Sequence, residues 1–197
     1  MNLIDLKGIE IIAIGGSAGG IKAVTEILKS LPKDFPIPIV IVLHRLRNVS
    51  SSLQKVIQHS TGLRVKEADE KETIAPYCAY IAPANYHLLI ENDKTFSLDY
   101  SETVKYSRPS LDLTFECVAE IYGKTAIGIL LTGANDDGAN GLLRMRNAGA
   151  KCYVQDPNTA HAKVMPRAAI GLGAADIVVQ LEEIGPMFSK ALADVHR

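Results

Sequence analysis

Three places in this 197-residue sequence combine residue types that do chemistry, and each follows an apolar run. The first is Gly15-Gly16-Ser17-Ala18-Gly19, a G-x-S-x-G pattern. There a serine on a sharp strand-to-helix turn has its hydroxyl exposed by small neighbours. The amides that open the following helix point to the same place and suit an oxyanion. The second is His44, directly after the apolar residues 37–43; a neutral imidazole is the usual base for a serine. The third is the loop from Thr132 to Gly138, with Asn135, Asp136 and Asp137, where an aspartate would fix the tautomer of a histidine and stabilise its imidazolium. The chemistry implied is nucleophilic acyl transfer.

Each feature has a plainer explanation. A glycine-rich turn closes a βα unit or binds phosphate, a histidine after a strand is often structural, and Asn, Asp and Gly make turns and helix caps. A dinucleotide fingerprint requires glycine where Ser17 stands, and a P-loop requires lysine where Ile21 stands. The aspartates lack the alternation of a calcium loop. Spacing alone leaves Asp136 and Asp137 equivalent. The order serine, histidine, aspartate differs from that of α/β-hydrolases, in which histidine comes last.

The elements that must position these groups follow from periodicity. Residues 9–14 (IEIIAI) and 37–44 (IPIVIVLH) read as strands apolar on both faces, which suits a parallel sheet covered by helices. Between them Ile21, Val24, Ile27, Leu28 and Leu31 recur at helical spacing. A helix is expected over 51–59, short strands over 64–68 and 77–82, and a hairpin over 87–91 and 95–100. Pro109 is expected to open a helix running to Tyr122. A strand over 125–131, a helix to Asn147, strands over 151–155 and 176–180 and a last helix over 182–195 complete the series. The alternation predicts an α/β fold: a doubly wound, mostly parallel, Rossmann-like three-layer sheet with one antiparallel hairpin. Sites in such sheets lie beyond the carboxyl ends of the strands.

Composition excludes other classes. The chain is 47% hydrophobic and 22% charged, with 21 basic against 22 acidic residues. A compact globule is expected, with no basic run for nucleic acid and no apolar stretch long enough for direct membrane insertion. Cys78, Cys117 and Cys152 are odd in number and far apart. They read as buried thiols of a cytoplasmic protein, not a disulfide frame or a metal site.

The residues that now converge resemble the catalytic domain of the chemotaxis protein-glutamate methylesterases, the CheB-type family. The turn over residues 15–20, Tyr80-Ile81-Ala82-Pro83-Ala84-Asn85-Tyr86-His87 and Arg108-Pro109-Ser110-Leu111-Asp112 carry the resemblance. So do Leu131-Thr132-Gly133 through Asp137-Gly138-Ala139, and Met165-Pro166-Arg167-Ala168-Ala169. The resemblance implies hydrolysis of methyl esters on glutamates in the cytoplasmic helices of chemoreceptors, with glutamine deamidation in many members. It implies Ser17 as nucleophile, His44 as base and Asp137, the aspartate before Gly-Ala, as the residue orienting it. Amides near Ala18 and Ala134 would hold the oxyanion, and no cofactor is required.

His87 and Arg108 match family motifs and are expected at the oxyanion hole or rim; Ser110 and Asp112 are expected in packing, a cap or the rim. Asp156, His161 and Arg167 are expected in a loop bordering the cleft. Ala18, Arg45-Leu46 and Ala134 stand where the family usually has threonine, Met-Pro and often methionine. Arg45 and Arg47 would then face acidic residues of the substrate. A catalytically idle receptor-docking module of the same fold is the alternative. Ser17 to Asp137 must share one sheet, so a single catalytic domain over 1–197 is expected. The first strand starts near Ile9, which leaves no room for the receiver domain such enzymes commonly carry. A stand-alone enzyme with an unknown regulatory partner, or an excised domain, is the expectation.

Overall fold

The computed structural model describes residues 4–45 and 52–195. Seven strands form one sheet in the order β3-β4-β2-β1-β7-β8-β9, and every pairing in it is parallel. The strands are β1 (Ile11–Gly16), β2 (Ile39–Leu43), β3 (Arg64–Glu67), β4 (Cys78–Ile81), β7 (Ala126–Leu130), β8 (Lys151–Gln155) and β9 (Ile177–Val179). A separate antiparallel pair joins β5 (His87–Ile90) to β6 (Phe96–Asp99).

Apolar residues on both faces of the central strands produce the three layers. Ile12, Ile14, Ile39, Ile41, Ile127 and Ile129 pack with α1 (Gly20–Leu28), α2 (Leu53–His59) and α6 (Leu181–Val195). Ile11, Ala13, Val40, Val42 and Val154 pack on the opposite face with α3 (Leu111–Tyr122), α4 (Ala139–Asn147) and α5 (Val164–Gly171). Alternate residues of a strand point to opposite faces, so a strand apolar throughout must be covered twice. The β5–β6 hairpin lies on the α3 side, where Leu88, Ile90 and Phe96 join the second core. Thr114 Oγ1 donates to Leu88 O at 2.7 Å and ties the hairpin to α3. Among the described residues no helix is long and apolar enough to cross a membrane. Cys78 and Cys152 are buried free thiols and Cys117 is half-buried; burial pushes Cys152 up to about 12.

Two expectations need correction. Pro109 does not open α3: the helix starts at Leu111, and Ser110 is its extended N-cap residue. Helix α5 is absent from the sequence reading, which placed Arg167 in a loop; Arg167 is an exposed residue of that helix. The helix has only eight residues, too few for a clear apolar stripe. Its Pro166 reads as a breaker, yet falls in the first turn, where no intrahelical N–H bond is lost.

The chain leaves β1 for β2 on one side and returns to β7 on the other. This reversal is the point at which doubly wound sheets open a crevice beyond their carboxyl ends. In register, Gly16 lies beside Leu43 and Gly15 beside Leu130. The segments that follow these three strand ends therefore emerge together.

Candidate active site

Ser17, His44 and Asp137 are the groups delivered to that crevice. Ser17 Oγ lies 3.1 Å from His44 Nδ1, and His44 Nε2 lies 2.7 Å from Asp137 Oδ2. An ionised carboxylate only accepts, so Nε2 carries the ring proton and Nδ1 is left to accept from the serine. The ring thus turns the opposite nitrogens to its partners from those in the serine-protease arrangement, with the same division of roles. A hydroxyl on a neutral imidazole, itself held by a buried carboxylate, is the arrangement that activates a weak nucleophile.

Asp137 is fully buried and its carboxylate takes four donors. Besides His44, Ser110 Oγ–H donates at 3.0 Å, Leu111 N–H at 2.8 Å and Asp112 N–H at 3.1 Å. Burial alone would raise its pKa. The bonds from His44 and the two amides outweigh burial and hold it below the usual carboxylate range. Two of its donors are the first amides of α3, so an aspartate from the β7–α4 loop caps a helix from elsewhere in the chain. The exchange is reciprocal, because Asp112 Oδ1 accepts Gly138 N–H and Gly141 N–H, both at 2.8 Å, at the start of α4. The neighbouring Asp136 turns outward to Lys105 Nζ at 3.3 Å. Lys105 also binds Asp112 Oδ2 at 3.0 Å. Burial separates the two aspartates that spacing could not.

The nucleophile turn is locked from β7. Ser17 N–H donates to Thr132 O at 2.9 Å, Thr132 Oγ1 donates to Ala18 O at 2.8 Å, and Gln155 Oε1 accepts Thr132 N–H at 2.9 Å. Gly19 adopts φ 82° and faces His161, whose Cβ would stand 2.7 Å from any added Cβ. The Ser17 amide is therefore occupied. Among the described residues the N–H groups of Ala18 and Ala134 have no hydrogen-bond partner. Ala18 follows the serine directly, and Ala134 lies two residues beyond Thr132, whose carbonyl accepts Ser17 N–H; an oxyanion formed at the serine needs such free donors.

Several expected rim residues lie elsewhere. His87 is fully buried behind the site, not on its rim: its Nδ1 accepts Ser110 N–H at 3.1 Å and its Nε2–H donates to Glu102 O at 3.0 Å. It holds the residue that holds Asp137. Arg45 does not face outward. Its guanidinium donates to Glu67 Oε1 at 2.5 Å and its side chain is only 9% exposed, because it reaches past β4 to a carboxylate at the end of β3. Arg47 lies outside the described residues. Arg108 stays at the rim, stacked 3.9 Å over the Tyr100 ring and donating to Tyr100 O at 2.9 Å. His161 lines a cleft of about 610 Å³ together with Gly19, Lys22, Thr132 and Glu182; neither Asp156 nor Ser17, His44 and Asp137 are among the residues lining it.

Sequence reasoning overlooked Thr132 as the lock of the serine turn, although its place at a strand end was a usable signal. It also overlooked Ser107, whose Oγ lies 3.4 Å from His44 Nδ1; nothing local in the sequence marks it.

With this geometry in place, comparison with known proteins is informative. Residues 12–188 match the CheB methylesterase family. A Leptospira interrogans protein (serovar copenhageni) named "Putative protein-glutamate methylesterase/protein-glutamine glutaminase" is 48% identical over 179 residues, 91% of this chain and 93% of that one. The Myxococcus xanthus protein-glutamate methylesterase FrzG is 37% identical over 89% of this chain, but the match spans about half of its length, 52%. The crystal structure of the Thermotoga maritima CheB methylesterase catalytic domain superposes with a TM-score of 0.87 at 34% identity, covering 92% of this chain and 98% of that one. The shared sheet and the extent of these matches show that this chain belongs to the CheB methylesterase family.

Proposed function

We propose that this protein is a serine hydrolase that removes methyl esters from glutamate side chains in the cytoplasmic helices of methyl-accepting chemoreceptors. The observation that carries the reading is the continuous chain from the Ser17 hydroxyl through His44 to buried Asp137, at 3.1 and 2.7 Å. The names of the Leptospira and Myxococcus relatives support protein-glutamate methyl esters as the substrate class.

Ser17 Oγ attacks the ester carbonyl carbon as its proton passes to His44 Nδ1. Asp137, ionised and already bonded to Nε2–H, stabilises the imidazolium without taking the proton. The carbonyl oxygen becomes an oxyanion that the Ala18 and Ala134 amides receive; one such donor is worth about 10²–10³ in rate. The bond from carbon to methoxy oxygen breaks, and methanol leaves with the proton from Nδ1. Water then attacks the glutamyl-serine ester, returns a proton to Nδ1, and Ser17 departs reprotonated from a free glutamate. Side chains, backbone amides and water account for every step. Glutamine deamidation follows the same course with ammonia as the leaving group.

The test is methanol release from a methylated receptor fragment. Wild-type protein is expected to release methanol and to be labelled at Ser17 by a fluorophosphonate. Ser17→Ala is expected to do neither while unfolding at the wild-type midpoint. Methanol release that persists in Ser17→Ala overturns the assignment, and a folded wild type that is neither active nor labelled favours an idle docking module.

A further inference from the structure

Beside the site, the chain from Val104 to Ser107 reverses in a two-residue turn closed by Val104 N–H to Ser107 O at 3.1 Å and Ser107 N–H to Val104 O at 2.8 Å. Its central residues, Lys105 and Tyr106, have φ of 47° and 63°. That geometry is normal for Asn-Gly and costly for a bulky side chain. Strain of this kind persists only where surrounding contacts over-determine it, and it clusters at functional sites. Here Lys105 supplies those contacts through Asp112 and Asp136, and Ser107 approaches the catalytic imidazole.

The turn displays Tyr106 with 98% of its surface exposed. Close along the chain, Tyr100 is 65% exposed and packs 5.6 Å from the Tyr86 ring, with Arg108 stacked on Tyr100. Scattered apolar residues on a surface need no explanation. Three tyrosines and a stacked arginine gathered around the segment that brings Ser107 to the catalytic imidazole are different, because Tyr and Arg are the residues enriched at the energetic centres of protein interfaces.

We infer that Tyr106, Tyr100 and Arg108 form the docking surface for the helical segment of the substrate protein that flanks the esterified glutamate. The inference rests on the methylesterase reading above. A glutamyl ester extends from its helix by only one side chain, whereas the helix body is about 10–12 Å across. A helix that presents its ester to Ser17 must therefore rest on the walls of the crevice, and Tyr106 is one residue from the hydroxyl nearest His44 Nδ1 after Ser17 itself. The surrounding charge is mixed: Asp99, Glu102 and Asp136 intersperse with Lys105 and Arg108. Such a surface does not select a polyanion and suits a polypeptide.

The experiment compares wild type, Tyr106→Gly, Tyr100→Ala and a control, Tyr77→Ala, on a methylated receptor fragment and on p-nitrophenyl acetate. Tyr77 is 54% exposed but precedes β4, at the opposite end of the sheet from the site. Glycine at 106 accepts the positive φ and removes only the ring, so loss of folding does not confuse the result. Loss of an interface anchor of this type is expected to raise KM for the receptor fragment about tenfold or more, with Tyr77→Ala unchanged. Hydrolysis of the small ester, which carries no helix to dock, serves as the readout of the triad. Wild-type KM for the fragment in both Tyr106→Gly and Tyr100→Ala overturns the docking surface while leaving the methylesterase reading intact. A wild-type protein that releases no methanol overturns that reading, and the docking inference with it.

Discussion

Replacing Asp137 by asparagine separates its two tasks, orienting His44 and capping α3. The carboxylate divides its donors evenly: Oδ2 takes His44 Nε2–H and Leu111 N–H, and Oδ1 takes Ser110 O–H and Asp112 N–H. An asparagine keeps one oxygen and turns an NH₂ toward the other pair. Either orientation leaves one backbone amide facing a donor, at a cost of about 1–3 kcal/mol. They differ in the second partner. With NH₂ at the Oδ1 position the Ser110 hydroxyl rotates and accepts; with NH₂ at Oδ2 the imidazole must move its proton to Nδ1, away from the task of base. The first is cheaper, so the histidine keeps its working tautomer. What is lost is the charge beside the imidazolium, a charge-assisted bond worth about 1.5–3 kcal/mol, or roughly 10- to 160-fold in rate. That is far short of the ~10⁴-fold that follows when such a substitution imposes the wrong tautomer.

Urea unfolding and methanol release measure the two effects in one protein. Expected are a loss of about 1–3 kcal/mol in stability and a rate loss near two orders of magnitude. The pH dependence carries a sign. The folded-state pKa of Asp137 is lowered, so its stabilising contribution is present above the ordinary carboxylate range. It disappears as pH falls through the lowered folded value, and the difference between wild type and Asp137→Asn must shrink there. A 10⁴-fold loss of rate with unaltered stability would refute the orientation argument; unaltered rate would remove Asp137 from the mechanism.

Two further substitutions test the support around the serine. Gly19→Ala places a methyl against His161 at a backbone φ of 82°; a loss of about 1–2 kcal/mol in unfolding free energy and a lower kcat are expected, and wild-type values for both would discount the turn geometry. Thr132→Val removes the hydroxyl that donates to Ala18 O and accepts Ala162 N–H at 2.8 Å. Stability is expected to fall by about 1–3 kcal/mol, and kcat to fall more than KM changes, because the Ala18 amide loses its orientation; an unchanged kcat would show that the lock is dispensable.

The sequence by itself determined the layered sheet. Runs such as residues 37–43 are apolar on both faces and fit nothing else, and the same reasoning put polar groups at three strand ends. Local pattern did not determine where those groups, or their neighbours, point. Arg45 and His87 read from sequence as rim residues, yet one binds Glu67, 22 positions away, and the other is buried between Glu102 and Ser110. Asp136 and Asp137 are equivalent by spacing, and they differ in the fold because the start of α3 arrives beside Asp137. Ser107 and the strained turn that carries Tyr106 leave no periodic mark at all. The division has a physical cause: the strand pattern depends on neighbours along the chain, whereas the direction of a loop side chain depends on partners that only folding brings near. His44 and Asp137, 93 residues apart in sequence and 2.7 Å apart in space, meet only in the tertiary structure.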